Sequence, residues 1–182
     1  MGKLRFFLFL SSLLLIQSGG LRAQDRSNRG KEFWLCYGYN WGFDNEFPVN
    51  AQELAIYIST EQAATVTVSV FGTTWSRTLN IPANTVDASV LIPKSGVDDA
   101  RILTDGVSSK GIRISSDVPV AVYAHQYNTM LSGATMLMPV ETLGYSYYSI
   151  NYSQATSNSQ LPAISPTTGN GPNWYSWFAI IA

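Results

Sequence analysis

The chain contains a single histidine, His125. Acid-base catalysis near neutral pH would therefore depend on this imidazole or on carboxylates with shifted pKa values. His125 lies between Tyr123 and Tyr127 on one face of an apolar stretch, a setting typical of a hydrogen-bonded structural histidine. No sequence motif places a serine or cysteine nucleophile on a strained turn beside it. The sequence therefore predicts a protein that is not an enzyme.

Cys36 is the only cysteine, so the chain cannot form an internal disulfide. Three interpretations are open: an inert thiol in the core, a partner for a cysteine elsewhere in a longer chain, or a reactive nucleophile. Its position beside Trp34 in FWLCYGY favours the core. One Cys and one His do not supply the four ligands of a usual zinc site.

Several acidic residues offer hard oxygen ligands in loops, where calcium is commonly held. One group is Asp98, Asp99 and Asp105, and a second is Asp44 and Glu46. Neither group has the D-x-[DN]-x-[DN]-G spacing, and acidic loop residues are more often solvated or cap turns. Asp98, Asp99 and Asp105 are the calcium candidates, and no cofactor is predicted.

Aromatic residues crowd the last third of the chain: Tyr145, Tyr147, Tyr148, Tyr152, Trp174, Tyr175 and Trp177. Such rings stack on sugars or anchor protein partners, although strands also use aromatics simply for packing. Tyr147 is predicted to lie in the core. Tyr148, Tyr152 and Trp174, close to the polar stretch 153–172, are the ligand-binding candidates.

The elements that would position these residues centre on VPVAVYAHQYN, residues 118–128. In an extended strand the side chains alternate between two faces, and here both faces are largely apolar. We therefore predict a strand covered on both sides, with Val120, Val122 and Tyr123 almost fully buried.

Further strands recur every 8 to 15 residues, with Gly, Pro, Asn or Asp between them. The alternation predicts strands at 30–39, 54–59, 65–70, 75–81, 85–92, 112–115, 134–140 and 145–152. We expect 54–59 to form a hairpin with 65–70, and 112–115 to turn at Ser116-Asp117 into a hairpin with the central strand. No segment has a helical period, so the fold predicted is an all-β antiparallel sandwich or barrel-like meander with long loops.

Residues 1–23 have the pattern of a secretory signal peptide, with Lys3 and Arg5 before a short apolar run and a small residue at Ala23. The run is too short to span a membrane, so no membrane insertion is expected after cleavage. Residues 24–29 then form a polar tail and 30–182 one β domain. The predicted location is extracellular or at the cell surface.

Removal of residues 1–23 would take Lys3, Arg5 and Arg22 from the 11 basic residues, leaving 8 against 12 acidic ones, a net charge of −4. The basic residues are scattered and form no stripe that would neutralise phosphates. Nucleic acid and anionic membrane surfaces are therefore excluded as expected partners.

Four segments resemble the N-terminal domain of the IgGFc-binding protein family: GKEFW at 30–34, IPANT at 81–85, GIRISSDVPVAVYA at 111–124 and SGATMLMPVETLGYSYY at 132–148. The resemblance implies an exported module at the front of a large surface or secreted protein, often in gliding bacteria with type IX sorting. The namesake animal protein binds the Fc part of IgG. The family supplies no site motif that can be matched to a position here.

The last residues, WFAIIA, have strand character and are followed by no turn, charge or polar tail. We expect the domain to be truncated at this point and to continue into further domains of a longer chain. The predicted function is a non-catalytic recognition or adhesion domain that binds an extracellular protein or glycoprotein. The alternatives are a carbohydrate-binding module and an accessory domain of a secreted hydrolase.

Overall fold

The computed structural model describes residues 27–38, 52–129, 132–150 and 178–181. The fold is all-β, as predicted: seven strands form one antiparallel sheet that curls into a half-barrel. The strands are β1 (Arg29–Leu35), β2 (Glu53–Thr60), β3 (Ala64–Val70), β4 (Ser76–Ile81), β5 (Thr85–Leu91), β6 (Ile112–Tyr127) and β7 (Ser132–Met136). Two short 3-10 turns follow β5 and β7, at Gly96–Asp98 and Val140–Thr142.

The sheet is built around β6, a strand of 16 residues. Ala121 pairs with Arg29 of β1 and with Ser59 of β2, so β1 and β2 lie on opposite edges of β6. β1 and β3 both pair with Ile114, which places β3 on the β2 edge. β2 and β7 both pair with Tyr123, which places β7 on the β1 edge. β2 and β3 therefore lie end to end along one edge of β6, and β7 and β1 along the other.

Both hairpins predicted at β6 and β2 are wrong. β2 and β3 each pair with β6 instead of with each other, and Ser116-Asp117 lies inside β6 instead of in a turn. The contacts of Asp117 give the physical reason. Its carboxylate Oδ1 accepts a hydrogen bond of 2.8 Å from the backbone N–H of Thr65, the second residue of β3. A polar residue that reads as a turn former in sequence here satisfies a backbone donor of the neighbouring strand.

One apolar cluster fills the concave side of the curled sheet. Its largest fully buried members include Phe33, Leu54, Ile56, Ile58, Val66, Val68, Ile112, Ile114, Val120 and Val122. Burial of Val120 and Val122 is confirmed, but the predicted burial of Tyr123 is wrong, because its side chain is 38% exposed. A single sheet covers only one of its faces, and Tyr123 points away from the core.

The segment after β7 crosses the start of β1. The backbone N–H of Leu137 donates to the carbonyl of Val122 (2.9 Å), and Pro139 is fully buried. A Cβ added to Gly30 would overlap the Pro139 ring and lie 2.9 Å from Glu141 Oε2. A glycine is therefore required where the two segments touch.

Strand predictions near the C-terminus are less accurate. The strand predicted at 134–140 is observed as β7, at 132–136. Residues 145–150, the described part of the strand predicted at 145–152, are not in a strand. Tyr147 is 68% exposed, so its predicted place in the core is wrong.

The predicted signal peptide lies outside the described residues, and β1 begins at Arg29, inside the predicted polar tail. The described ranges contain no helix that is long and apolar enough to span a membrane. Residues 151–177 also lie outside the described part, and residues 178–181 are not in a strand.

Candidate ligand-binding face

The convex side of the sheet carries two chemically different halves. Around the second half of β6 lie Tyr57, Tyr123, His125, Tyr127 and Met136, which we call the aromatic face. The strand register brings them together: Tyr123 pairs with Tyr57 on β2 and with Met136 on β7. These positions alternate with buried Ile56, Ile58, Val122 and Ala124, so the same packing that fills the core directs these rings outward.

His125 joins the rings of the aromatic face. It stacks on Tyr127 with centroids 4.7 Å apart and planes 29° apart. It also lies 5.8 Å from the Tyr57 ring, in a tilted arrangement. Its Nε2 is 2.7 Å from Ser132 Oγ on β7. The imidazole therefore fixes two tyrosine rings and ties β7 to β6 through its side chain.

The contact between His125 and Ser132 is also one that a hydrolase would need between its base and its nucleophile. Sequence reasoning missed it, because the two residues meet only through pairing of β6 with β7. Ser132 lies in a regular strand, whereas a serine nucleophile typically occupies a strained turn beside oxyanion-binding N–H groups. The structure thus places a serine and a histidine in contact on a surface strand, and the serine is not on a strained turn.

The aromatic face is nearly free of formal charge. Three rows of paired residues cross it: Ser89–Tyr57–Tyr123–Met136, Leu91–Ala55–His125–Ala134 and Glu53–Tyr127–Ser132. Besides His125 and the tyrosines, Glu53 is the one ionisable residue in these rows. Its carboxylate lies 2.6 Å from Lys94 Nζ. The other side chains of these rows are small, hydroxyl or apolar. The next row, Ser59–Ala121–Arg29, adds a charge, and Arg29 Nη2 lies 2.6 Å from Glu61 Oε1.

The other half of the convex side, around the first half of β6, is a hydroxyl-rich face with charges. The hydroxyls of Thr67 and Thr78 lie 3.1 Å apart on β3 and β4. On β1, Glu32 accepts hydrogen bonds from Arg113 Nε (2.9 Å) and Trp34 Nε1 (3.1 Å), with the guanidinium 5.9 Å from the Trp34 ring. The bonds from Arg113 and Trp34 lower the pKa of Glu32.

The calcium candidates do not converge on one position. Asp98 lies in the first 3-10 turn and Asp105 in an exposed loop. Asp99 holds Arg101 in a two-point ion pair, with Oδ1 to Nε at 3.0 Å and Oδ2 to Nη2 at 2.9 Å. Burial raises the pKa of Asp99, but the hydrogen bonds and charge of Arg101, together with Lys110, outweigh this effect and lower it.

Within the four described ranges, no group of three His, Cys, Asp or Glu side chains could hold a metal ion. Asp44 and Glu46 lie outside those ranges. Calcium binding by Asp98, Asp99 and Asp105 stays a prediction.

Cys36 follows β1 and is half-buried. Burial raises the pKa of the thiol, which disfavours the thiolate form that a nucleophile or metal ligand needs. The core positions in this region belong to its neighbours Leu35 and Tyr37. The side chain is therefore a poor candidate for chemistry.

Of the three predicted ligand-binding residues, Tyr148 is described and is 94% exposed. Tyr152 and Trp174 lie outside the described residues. The ring contacts that define the aromatic face involve Tyr57, His125 and Tyr127. Tyr57 and Tyr127 were not predicted as ligand-binding residues, and the signal that identifies Tyr57 is its place opposite Ile56 and Ile58 in the alternation of β2.

No family model and no curated protein matches the chain. Among solved structures, one described as the crystal structure of Thermotoga maritima 1070 is similar, with a TM-score of 0.34 and 15% identity. The alignment covers 63% of this chain and 98% of that chain. A likeness at this level carries no inference about function.

Proposed function

We propose that this chain is a non-catalytic recognition or adhesion domain. It is exported, stands at the front of a larger secreted or cell-surface protein, and binds an extracellular protein or glycoprotein. The observation that carries the proposal is the aromatic face, where three tyrosines and a histidine are gathered on one half of the convex surface.

Tyrosine suits recognition for physical reasons. Its ring buries a large apolar area, its hydroxyl end accommodates water or a hydrogen-bond partner, and ordering its two side-chain torsions costs little entropy. Tyr57 and Tyr123 occupy directly paired positions on neighbouring strands, which holds them on a rigid element. Preorganised rings of this kind contribute much of the affinity at recognition surfaces.

Hydrolysis by the chain itself is the second candidate, and the contact of 2.7 Å between His125 and Ser132 is what favours it; an accessory role beside a separate hydrolase domain needs no catalytic serine here and stays a prediction. If the chain itself is a hydrolase, Ser132 would react with a fluorophosphonate probe, and Ser132→Ala would abolish the labelling. The recognition proposal predicts no labelling at Ser132.

The recognition proposal is tested by comparing two matched double variants of the chain. Tyr57→Ala/Tyr123→Ala removes a cross-strand pair from the aromatic face, and Thr67→Ala/Thr78→Ala removes one from the hydroxyl-rich face. Each is immobilised and titrated with fetuin as a glycoprotein, with the Fc fragment of IgG as the ligand suggested by the family resemblance, and with unglycosylated albumin.

We expect fetuin or the Fc fragment to bind, with at least tenfold weaker binding to the tyrosine variant and an unchanged affinity for the threonine variant. Thermal melting of both variants checks that they fold. Equal affinity of the tyrosine variant and the original chain would refute a role for the aromatic face. Failure of both probes to bind, together with labelling of Ser132, would favour the hydrolase.

A further inference from the structure

We propose that the aromatic face binds a neutral glycan, with Tyr57 and Tyr123 as the stacking platform. This inference rests on the proposed recognition function and names the class of its ligand. In a glycoprotein partner, the part that the face contacts would be the sugar chain.

Charge is the first argument. The rows that cross the aromatic face place serine, alanine, leucine and methionine around the rings, and the carboxylate of Glu53 is compensated by Lys94. The hydroxyl-rich half of the same surface carries Arg113 and Glu32. Arg29, in the row next to Tyr57 and Tyr123, is compensated by Glu61. An anionic or cationic ligand would therefore find no uncompensated charge beside the rings, whereas a neutral ligand needs none.

The mixture of groups is the second argument. A sugar has faces of C–H bonds bordered by hydroxyls, and it matches a flat apolar ring that has hydrogen-bonding groups at its margin. The row through Tyr57 and Tyr123 has Ser89 at its β5 end, and the row through Tyr127 has Ser132 at its β7 end. Each of these two rows thus has a hydroxyl group at one of its ends, and the β7 end of the Tyr57–Tyr123 row is the apolar side chain of Met136.

The exposed area of the rings is the third argument, and it favours a glycan over a protein surface as the ligand. A tyrosine that buries about 200 Å² when fully covered offers roughly 80 Å² when 38% exposed, as Tyr123 is. Tyr57, His125 and Tyr127 are less exposed, so the four rings together offer less than roughly 300 Å². A stable protein interface uses about 800 Å² per partner. The four rings alone are too small to hold a protein and are large enough for a short oligosaccharide.

The direct test is calorimetric titration of the whole chain with three neutral hexasaccharides: cellohexaose, chitohexaose and mannohexaose. A heparin hexasaccharide serves as the anionic control. We expect at least one neutral probe to bind and the heparin probe to bind at least tenfold more weakly. Binding of none of the neutral probes, or preference for heparin, would overturn the glycan proposal.

Variants assign the binding to the rings. Tyr123→Ala is expected to weaken binding of the neutral probe at least tenfold, whereas Tyr123→Phe, which keeps the ring, stays within threefold. Thr78→Ala on the hydroxyl-rich face is the matched control, with unchanged affinity. A Tyr123→Ala variant that folds and binds as well as the original chain would contradict the proposal.

Desialylated fetuin, whose sugar chains are neutral, is compared with fetuin stripped of its glycans, and the comparison distinguishes failure of this inference from failure of the recognition proposal. Loss of binding on deglycosylation supports the glycan. Undiminished binding to stripped fetuin, still dependent on Tyr57 and Tyr123, would keep the recognition domain and overturn the glycan. Absence of binding to either form and to the hexasaccharides would overturn both.

Discussion

Arg101 and Asp99 are two residues apart in a region of the chain with little regular structure, and both are largely buried. The backbone N–H of Arg101 also donates to Asp99 Oδ1 (3.0 Å), so the carboxylate accepts three hydrogen bonds from one residue. Arg101 in turn forms an isolated β-bridge with Tyr37. In this bridge the backbone N–H of Ile102 donates a hydrogen bond to the carbonyl oxygen of Tyr37 (2.9 Å). This ion pair therefore anchors the segment between β5 and β6 to the chain that follows β1.

Asp99→Asn is expected to destabilise the fold by about 2–3 kcal/mol at pH 7, since it leaves a buried arginine without its charged partner. The folded pKa of Asp99 is lowered, so its stabilisation is complete above its unfolded pKa of about 4 and is lost as the pH falls through the lower folded value. Urea denaturation at pH 7 and at about pH 2 measures both ends of this range.

The difference between the original chain and Asp99→Asn should be large at pH 7 and small at acid pH. Asp105→Asn, at an exposed site, is the control and should change stability by less than about 0.5 kcal/mol. A difference that is equally large at both pH values would show that the carboxylate charge does not account for the loss.

At the scale of elements, the contact between β1 and the segment after β7 depends on the absence of one side chain. Gly30 lies in a strand with ordinary backbone angles, so alanine would be strained only by what its Cβ meets. The neighbouring Pro139 is a rigid ring, fully buried, and cannot rotate away.

Gly30→Ala should therefore lower the free energy of unfolding by about 1–3 kcal/mol, the usual cost of overpacking. Gly133→Ala is the matched control, because a Cβ at Gly133 meets nothing within 4 Å. Equilibrium denaturation of the two variants side by side measures the difference. Equal stability of the two would mean that the segment after β7 does not rest on β1.

The sequence predicts the strands of this fold better than their partners. Alternation of Leu54, Ile56 and Ile58 marks β2 correctly, because burial on one face is a local property of the pattern. Pairing of β2 with β6 joins positions such as Ser59 and Ala121, and no local pattern contains that information. The aromatic face is a second example. The alternation within a strand shows which of its residues share a face, but only the register between β2 and β6 places Tyr57 beside Tyr123.

At the scale of the whole molecule, one apolar core extends along the full length of β6. This core lies on the concave side of the sheet, so only the side chains on that side are buried in it. Neighbouring residues of β6 therefore contribute differently to stability. Val122 is fully buried in the cluster, whereas Tyr123 lies on the convex side. The sequence pattern did not indicate this difference. Both faces of the strand are largely apolar, and both were therefore expected to be buried.

Val122→Ala is expected to cost about 2–3 kcal/mol, as truncations of buried side chains do. Tyr123→Ala should cost about 1 kcal/mol or less, since part of its ring is already in contact with water. Thermal melting and urea denaturation of the two variants compare them directly. A loss below about 0.5 kcal/mol for Val122→Ala, the range of surface substitutions, would contradict the central position of β6.

The order in which strands join β6 has a consequence for how the chain acquires its fold. β1, β2 and β3 all precede β6 in the sequence by dozens of residues, and each needs β6 as a partner. Before Ile112–Tyr127 is available, the pairs β3 with β4 and β2 with β5 are the strand contacts that can close. Topologies with such distant pairings fold slowly. Strand edges that are still unpaired during folding promote association with other chains. We therefore expect pairing with β6 to set the rate of folding: β1, β2, β3 and β7 pair with it directly, and β4 and β5 join the sheet through β3 and β2.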